Sequence, residues 1–116
     1  MMMTIRRSAV AIAAIGILAG IPLLSGLAAS AENKHVSEAI HHAKEAVEHG
    51  KAGHADVLVK HAEGALKHAE AAGMKNPHLD EGVKELKASI EHGKAGHADV
   101  ATKHAEGAVM HLSEVK

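Results

Sequence analysis

From Val36 onward the apolar positions fall into a helical rhythm. Val36, Ala39, Ile40, Ala43, Ala46 and Val47 recur at the three- and four-residue steps that line one face of an amphipathic helix. Ala55, Leu58, Val59, Ala62, Ala65, Leu66 and Ala69 repeat that rhythm. Leu79, Val83, Leu86 and Ile90 mark a third helix, and Val100, Ala101, Ala105, Ala108, Val109 and Leu112 a fourth. The positions between are mostly Lys, Glu and Ala, which helix surfaces tolerate well. No stretch alternates with period two for long, so strands are not expected. The breaks fit the same reading. Gly50 and Gly53 bracket Lys51-Ala52, and Gly93 and Gly96 bracket Lys94-Ala95, as glycines suited to the left-handed position after a helix. Asp56 and Asp99 fall in the next first turn, where a negative charge is favoured. Gly73 ends the second helix, and Asn76 caps the third with Pro77 at its first position.

The chain is internally duplicated. A shift of 43 residues aligns His35–Glu70 with His78–Ser113, with 20 of 36 positions identical. EHGKAGHADV stands unchanged at 48–57 and 91–100, and KHAEGA at 60–65 and 103–108. Short connections between four helices predict an all-α fold, an up-down-up-down four-helix bundle made of two duplicated helical hairpins.

The first 31 residues follow another pattern. Arg6 and Arg7 precede the apolar run SAVAIAAIGILAGIPLLSGLA, and Ala29-Ser30-Ala31 closes it. A basic start, an apolar middle and an A-x-A end describe a secretory signal peptide. Gly16, Gly20 and Pro22 interrupt the run, which argues against a retained membrane anchor. SAV lacks the bulky residues of a twin-arginine signal, so ordinary secretion is the expectation. Residues 1–31 are read as the signal and 32–116 as an exported histidine-rich four-helix metal-binding domain, no longer membrane-attached after cleavage and monomeric.

Composition narrows the chemistry. The expected mature part keeps 11 lysines against 14 acidic residues, a net charge of −3, which is no footprint for nucleic acid. Cysteine is absent, which excludes disulfides, thiolate metal sites and covalent haem attachment. Phe, Tyr and Trp are absent too, so the core is built of small aliphatic residues. Such a core is thin for so small a domain, and a bound ligand is expected to help it.

All twelve histidines lie in the expected mature part. His35, His42 and His49 occupy the first helix; His54, His61 and His68 the second; His97, His104 and His111 the fourth. The third has His78 and His92 with Glu85 midway. Every step is seven residues, so each set lies along one side of its helix at intervals of about 10.5 Å. The histidines border the apolar stripe. Reflection about each turn pairs His49 with His54, His42 with His61 and His35 with His68. In the second copy it pairs His92 with His97, Glu85 with His104 and His78 with His111. Neutral imidazoles suit Cu(II), Ni(II) and Zn(II), with Cu(II) favoured by the Irving–Williams order. Glu38, four before His42, and Glu45, four before His49, are accessory ligands or orienters, as is Asp56 near His54. His41, outside the heptads on the solvent side, and Glu85 are further accessory ligands. Met74 and Met110 are read as packing residues.

These features point to a non-catalytic binder of divalent transition metals. The alternative is a pH-responsive helical interaction protein whose imidazoles switch with protonation and whose metal binding is incidental. No nucleophile or cofactor motif marks an enzyme, and many equivalent histidine pairs suit storage better than a haem site.

With EAVEHGKAGHADV at 45–57 and GHADVATKHAEGAVMHL at 96–112, the chain resembles the small periplasmic metal-binding proteins of the SmbP type. That resemblance spans about His35 to Leu112. It implies a histidine-rich four-helix bundle in the periplasm that binds several divalent metals, copper prominent among them, with a role in metal buffering, homeostasis or detoxification. Glu85 and Lys84 depart from the repeat, where the first copy has His42 and His41, and weaker binding is expected in that layer.

Overall fold

A computed structural model describes the backbone from residue 21 and the side chains from residue 34. The basic start and most of the apolar run expected to form the signal lie outside the described residues. The chain divides after Ala31 into two units, and the second, Glu32–Lys116, forms the bundle.

Four helices account for nearly all of it: α1 Ile21–Lys51, α2 Ala55–Ala71, α3 Pro77–Lys94 and α4 Ala98–Ser113. No strand occurs among the described residues. Among the described residues, no helix is long and apolar enough to cross a membrane. The helices form the four-helix bundle of two hairpins that the periodicity predicts. Asn76 caps α3, its side-chain oxygen accepting from the backbone N–H groups of His78 at 2.8 Å and Leu79 at 3.3 Å.

The apolar stripes meet in the core, which is dominated by alanine. Ala39, Ala43, Ala46, Ala62, Ala65, Ala101, Ala105 and Ala108 are fully buried, with Leu58, Leu86 and Leu112 as the largest buried aliphatic side chains. Small side chains bring backbones close, and the two copies tune that closeness differently. A Cβ on Gly82 would lie 2.7 Å from Leu112 Cδ2. In the first copy the equivalent positions are Ala39 and Ala69. A leucine gained in α4 is thus accommodated by a methyl lost from α3, which keeps the packing dense without strain.

Gly50 and Gly93 differ from the expectation. They do not lie between helices but inside the last turns of α1 and α3, both buried. A Cβ on Gly50 would fall 1.9 Å from Thr102 Oγ1 and 2.6 Å from Leu58 Cδ1; one on Gly93 would fall 2.5 Å from Val59 Cγ2. Val59 and Thr102 are themselves equivalent in the duplication. These two glycines therefore mark close contact between hairpins, α1 on α4 and α3 on α2. Only Gly53 and Gly96, each at φ 84°, take the left-handed turn conformation here, with Gly73 at φ 59° after α2.

Two polar side chains enter the core. Ser89 is fully buried and its hydroxyl donates to the Ala101 carbonyl at 2.8 Å. Thr102 donates back to the Ala98 carbonyl at 2.6 Å. Met74 packs on the core edge as expected, but Met110 is 64% exposed and is not a packing residue. It borders a surface hollow with Val47 and Val109 that no histidine lines.

Candidate metal centre

The hairpin tips set the register of the histidines. After α1, the His54 N–H donates to the His49 carbonyl at 2.9 Å and the Gly53 N–H to the Gly50 carbonyl at 3.0 Å. With Gly53 at positive φ, this is the Schellman arrangement of a helix end. The second hairpin repeats it, His97 to His92 at 2.9 Å and Gly96 to Gly93 at 3.0 Å. The two residues that this motif ties by backbone, where an apolar contact commonly sits, are here both histidines. Their rings stand 6.2 Å apart in each tip.

Behind the tips the paired residues lie side by side. In the first hairpin His42 and His61 have ring centroids 5.9 Å apart, and His35 and His68 5.7 Å. The pairs do not form separate layers. His49 stacks on His61 at 5.2 Å with planes 3° apart, and His42 stacks on His68 at 5.4 Å and 11°. The six imidazoles run as one zigzag ladder: His54, His49, His61, His42, His68, His35. Those on the seam are half-buried, while His54 at the tip is exposed.

In the second hairpin His78 and His111 stand 6.1 Å apart, and His92 stacks on His104 at 5.3 Å. Glu85 replaces the middle imidazole of α3. Its carboxylate lies 2.8 Å from His104 Nδ1, a hydrogen bond that orients the ring. His78 additionally faces Glu114 at 3.7 Å.

Carboxylates complete two groups of three donors, both in the first hairpin: Glu38, His42 and His68, and His42, Glu45 and His61. Within each group the ligand atoms lie within 4.8 Å of one another. Glu45 Oε1 is 3.1 Å from His61 Nδ1 and 3.4 Å from His42 Nδ1. Two ligands held about 2.0–2.1 Å from one ion sit about 3–3.4 Å from each other, so these spacings fit a shared cation. His42 Nδ1 is buried and makes no hydrogen bond, although Glu45 is near. An unpaired buried nitrogen is costly in a protein interior, and a metal–nitrogen bond would satisfy it. Glu45 therefore serves His42 and His61, and not His49 as its four-residue spacing suggests. A helical side chain leans toward the preceding turn, which carries Glu45 toward His42.

A small residue faces this centre. A Cβ on Gly64 would lie 3.5 Å from the His42 ring. Its equivalent, Gly107, faces the Glu85 carboxylate, 3.0 Å from Cδ. Neither glycine belongs to the turns or stripes that the periodicity marks, although a glycine inside a helix costs about 1 kcal/mol against alanine and so calls for a reason. Each lies three residues after one seam histidine and four before the next.

The pattern of the family described as small metal-binding protein matches residues 7–115 of this chain. The chain belongs to that family. Comparison with curated proteins gives no match. A small metal-binding protein needs donors that converge, and the bundle supplies them unevenly. Of the eleven seam histidines, His42, His61 and His68 converge with a carboxylate in groups of three; His35, His49 and His54 extend the same ladder. His78, His92, His97, His104 and His111 are brought together as pairs and stacks. His41 is exposed, with its ring 3.6 Å from Glu45. Asp56 is exposed and joins neither group.

Proposed function

We propose that this small metal-binding protein binds and buffers divalent transition metals, Cu(II) foremost, with Ni(II) and Zn(II) following. The observation that carries the reading is the convergence of His42, Glu45 and His61 at 3.1 and 3.4 Å, in a member of this family. Imidazole and carboxylate donors suit these borderline cations, whose intrinsic order favours Cu(II). The donors lie along a half-exposed seam rather than in a closed cage, which suits an ion that is taken up and released. The role is a non-catalytic one in metal homeostasis. Export to the periplasm is part of the proposal. It is supported by Arg6-Arg7, the apolar run and Ala29-Ser30-Ala31, and the family match begins at residue 7, within that segment.

Calorimetric titration with Cu(II), Ni(II) and Zn(II) at neutral pH tests the binding. More than one equivalent of Cu(II), held more tightly than the other two, is the expected result. Heats no larger than those of a variant lacking the seam histidines would refute it. Cell fractionation with amino-terminal sequencing tests the export, which requires periplasmic protein beginning at Glu32.

A further inference from the structure

We infer that Glu38/His42/His68 and His42/Glu45/His61 are not two metal sites but two stations of one site, which holds a single divalent cation pivoting on His42. This deepens the metal-binding function proposed above and rests on it.

Both groups use His42. A neutral imidazole offers one lone-pair nitrogen while the other carries a proton. His42 thus serves one ion at a time. Bridging two would require losing the remaining N–H proton and holding two divalent cations an imidazole's width apart, where they repel. The surroundings are balanced about this ring. Glu38 lies four residues before His42 and Glu45 three after, which puts one carboxylate a turn away on either side. His61 and His68 flank Gly64 on α2, and their ring centroids lie 5.9 and 5.4 Å from that of His42. The ring rests over the gap that Gly64 leaves, 3.5 Å from where a Cβ would stand. Its Nδ1 is buried without a hydrogen bond.

Each station therefore has the same donor set: His42, one further imidazole and one carboxylate. An ion moving from one to the other exchanges a carboxylate and an imidazole and finds His42 in both. The second copy lacks this device. It has Glu85 in place of the pivot and Ala88 in place of Glu45, and Glu85 is engaged with His104 at 2.8 Å.

The test is Cu(II) titration of the whole protein, with affinities measured against a competing chelator, for Glu38→Gln, Glu45→Gln, the double variant, His42→Asn and His42→Gln. Removing one of two equal stations leaves half the bound options, so each single carboxylate variant keeps the wild-type stoichiometry and loses only about twofold in affinity. The double variant and the His42 variants lose tenfold or more at this site, as loss of a metal-supporting group does (~10–100-fold), or one whole equivalent. Helix content by circular dichroism controls for folding. Should both His42 variants unfold, the carboxylate variants carry the test, because Glu45 is about one-third exposed (35%) and outside the core.

Loss of a full equivalent in each single variant means two independent sites and overturns the inference. Single variants as weak as the double mean one undivided site and also overturn it, as does full binding by the His42 variants. Wild-type protein that takes up no Cu(II) overturns the proposed function itself, a result the variants cannot mimic.

Discussion

Two helical glycines in the first hairpin should respond to the same substitution with opposite sign. Gly50→Ala places a methyl 1.9 Å from Thr102 Oγ1 and 2.6 Å from Leu58 Cδ1. Thr102 must then abandon its 2.6 Å bond to Ala98, worth about 0.5–1.5 kcal/mol. Leu58, fully buried, must shift in a dense core, and such overpacking costs about 1–3 kcal/mol. The intrinsic preference of a helix for alanine returns up to about 1 kcal/mol, and less this near the helix end. The net effect is a destabilisation of about 1–3 kcal/mol. Gly64→Ala places its methyl 3.5 Å from the His42 ring, an ordinary contact distance. Here the helix preference dominates, and the gain is about 0.5–1 kcal/mol. For a domain of this size 1 kcal/mol moves Tm by about 4–8 °C. Melting of the metal-free protein, followed by far-ultraviolet circular dichroism, should show Gly50→Ala falling and Gly64→Ala rising. A Gly50→Ala protein that melts no lower than wild type would refute the assignment of Gly50 to a close contact between hairpins, and a fall for Gly64→Ala would refute the open contact at His42.

Other consequences can be measured directly. Cu(II) or Zn(II) at a hundred times its Kd should stabilise the fold by about 2.7 kcal/mol, seen as a rise in Tm that chelator reverses; an unchanged Tm would mean the ligands are not coupled to folding. Glu85→His with Ala88→Glu places in the second hairpin the counterparts of His42 and Glu45 beside His104, so Cu(II) stoichiometry by calorimetry should rise by one equivalent. Acidification should release metal, because protons compete with the cation for the imidazole lone pair; equilibrium dialysis reads this, and pH-independent retention would exclude histidine ligation.

Much of this architecture is legible in the residues because it is local. Helix periodicity places Ala39, Ala62 and Leu86 in the core. The invariant turn places His49 opposite His54, and the seven-residue step carries that pairing along the seam. What stays hidden depends on how helices meet. The diagonal stacks of His42 on His68 and of His49 on His61 come from the stagger between α1 and α2, which no spacing within one helix specifies. Gly50 and Gly93 resemble turn punctuation because their neighbours, Thr102 and Val59, come from the other hairpin. Glu45 is a different case. Residue spacing assigns it to His49, while the lean of helical side chains toward the preceding turn already favours His42. Gly64 and Gly107 are equally open to reading, as helix-weakening residues repeated on the histidine side.

The backbone hydrogen bond from His54 to the His49 carbonyl bears on how the seam assembles. It spans five residues, whereas His35 and His68 are 33 apart. The entropy lost in closing a loop grows with its length, so the tip is the cheapest rung to bring together. Each later rung forms across a chain already shortened by the one before it. The ladder then closes like a zip, from the turn toward the open end, in the register that the turn imposes on the remaining histidines.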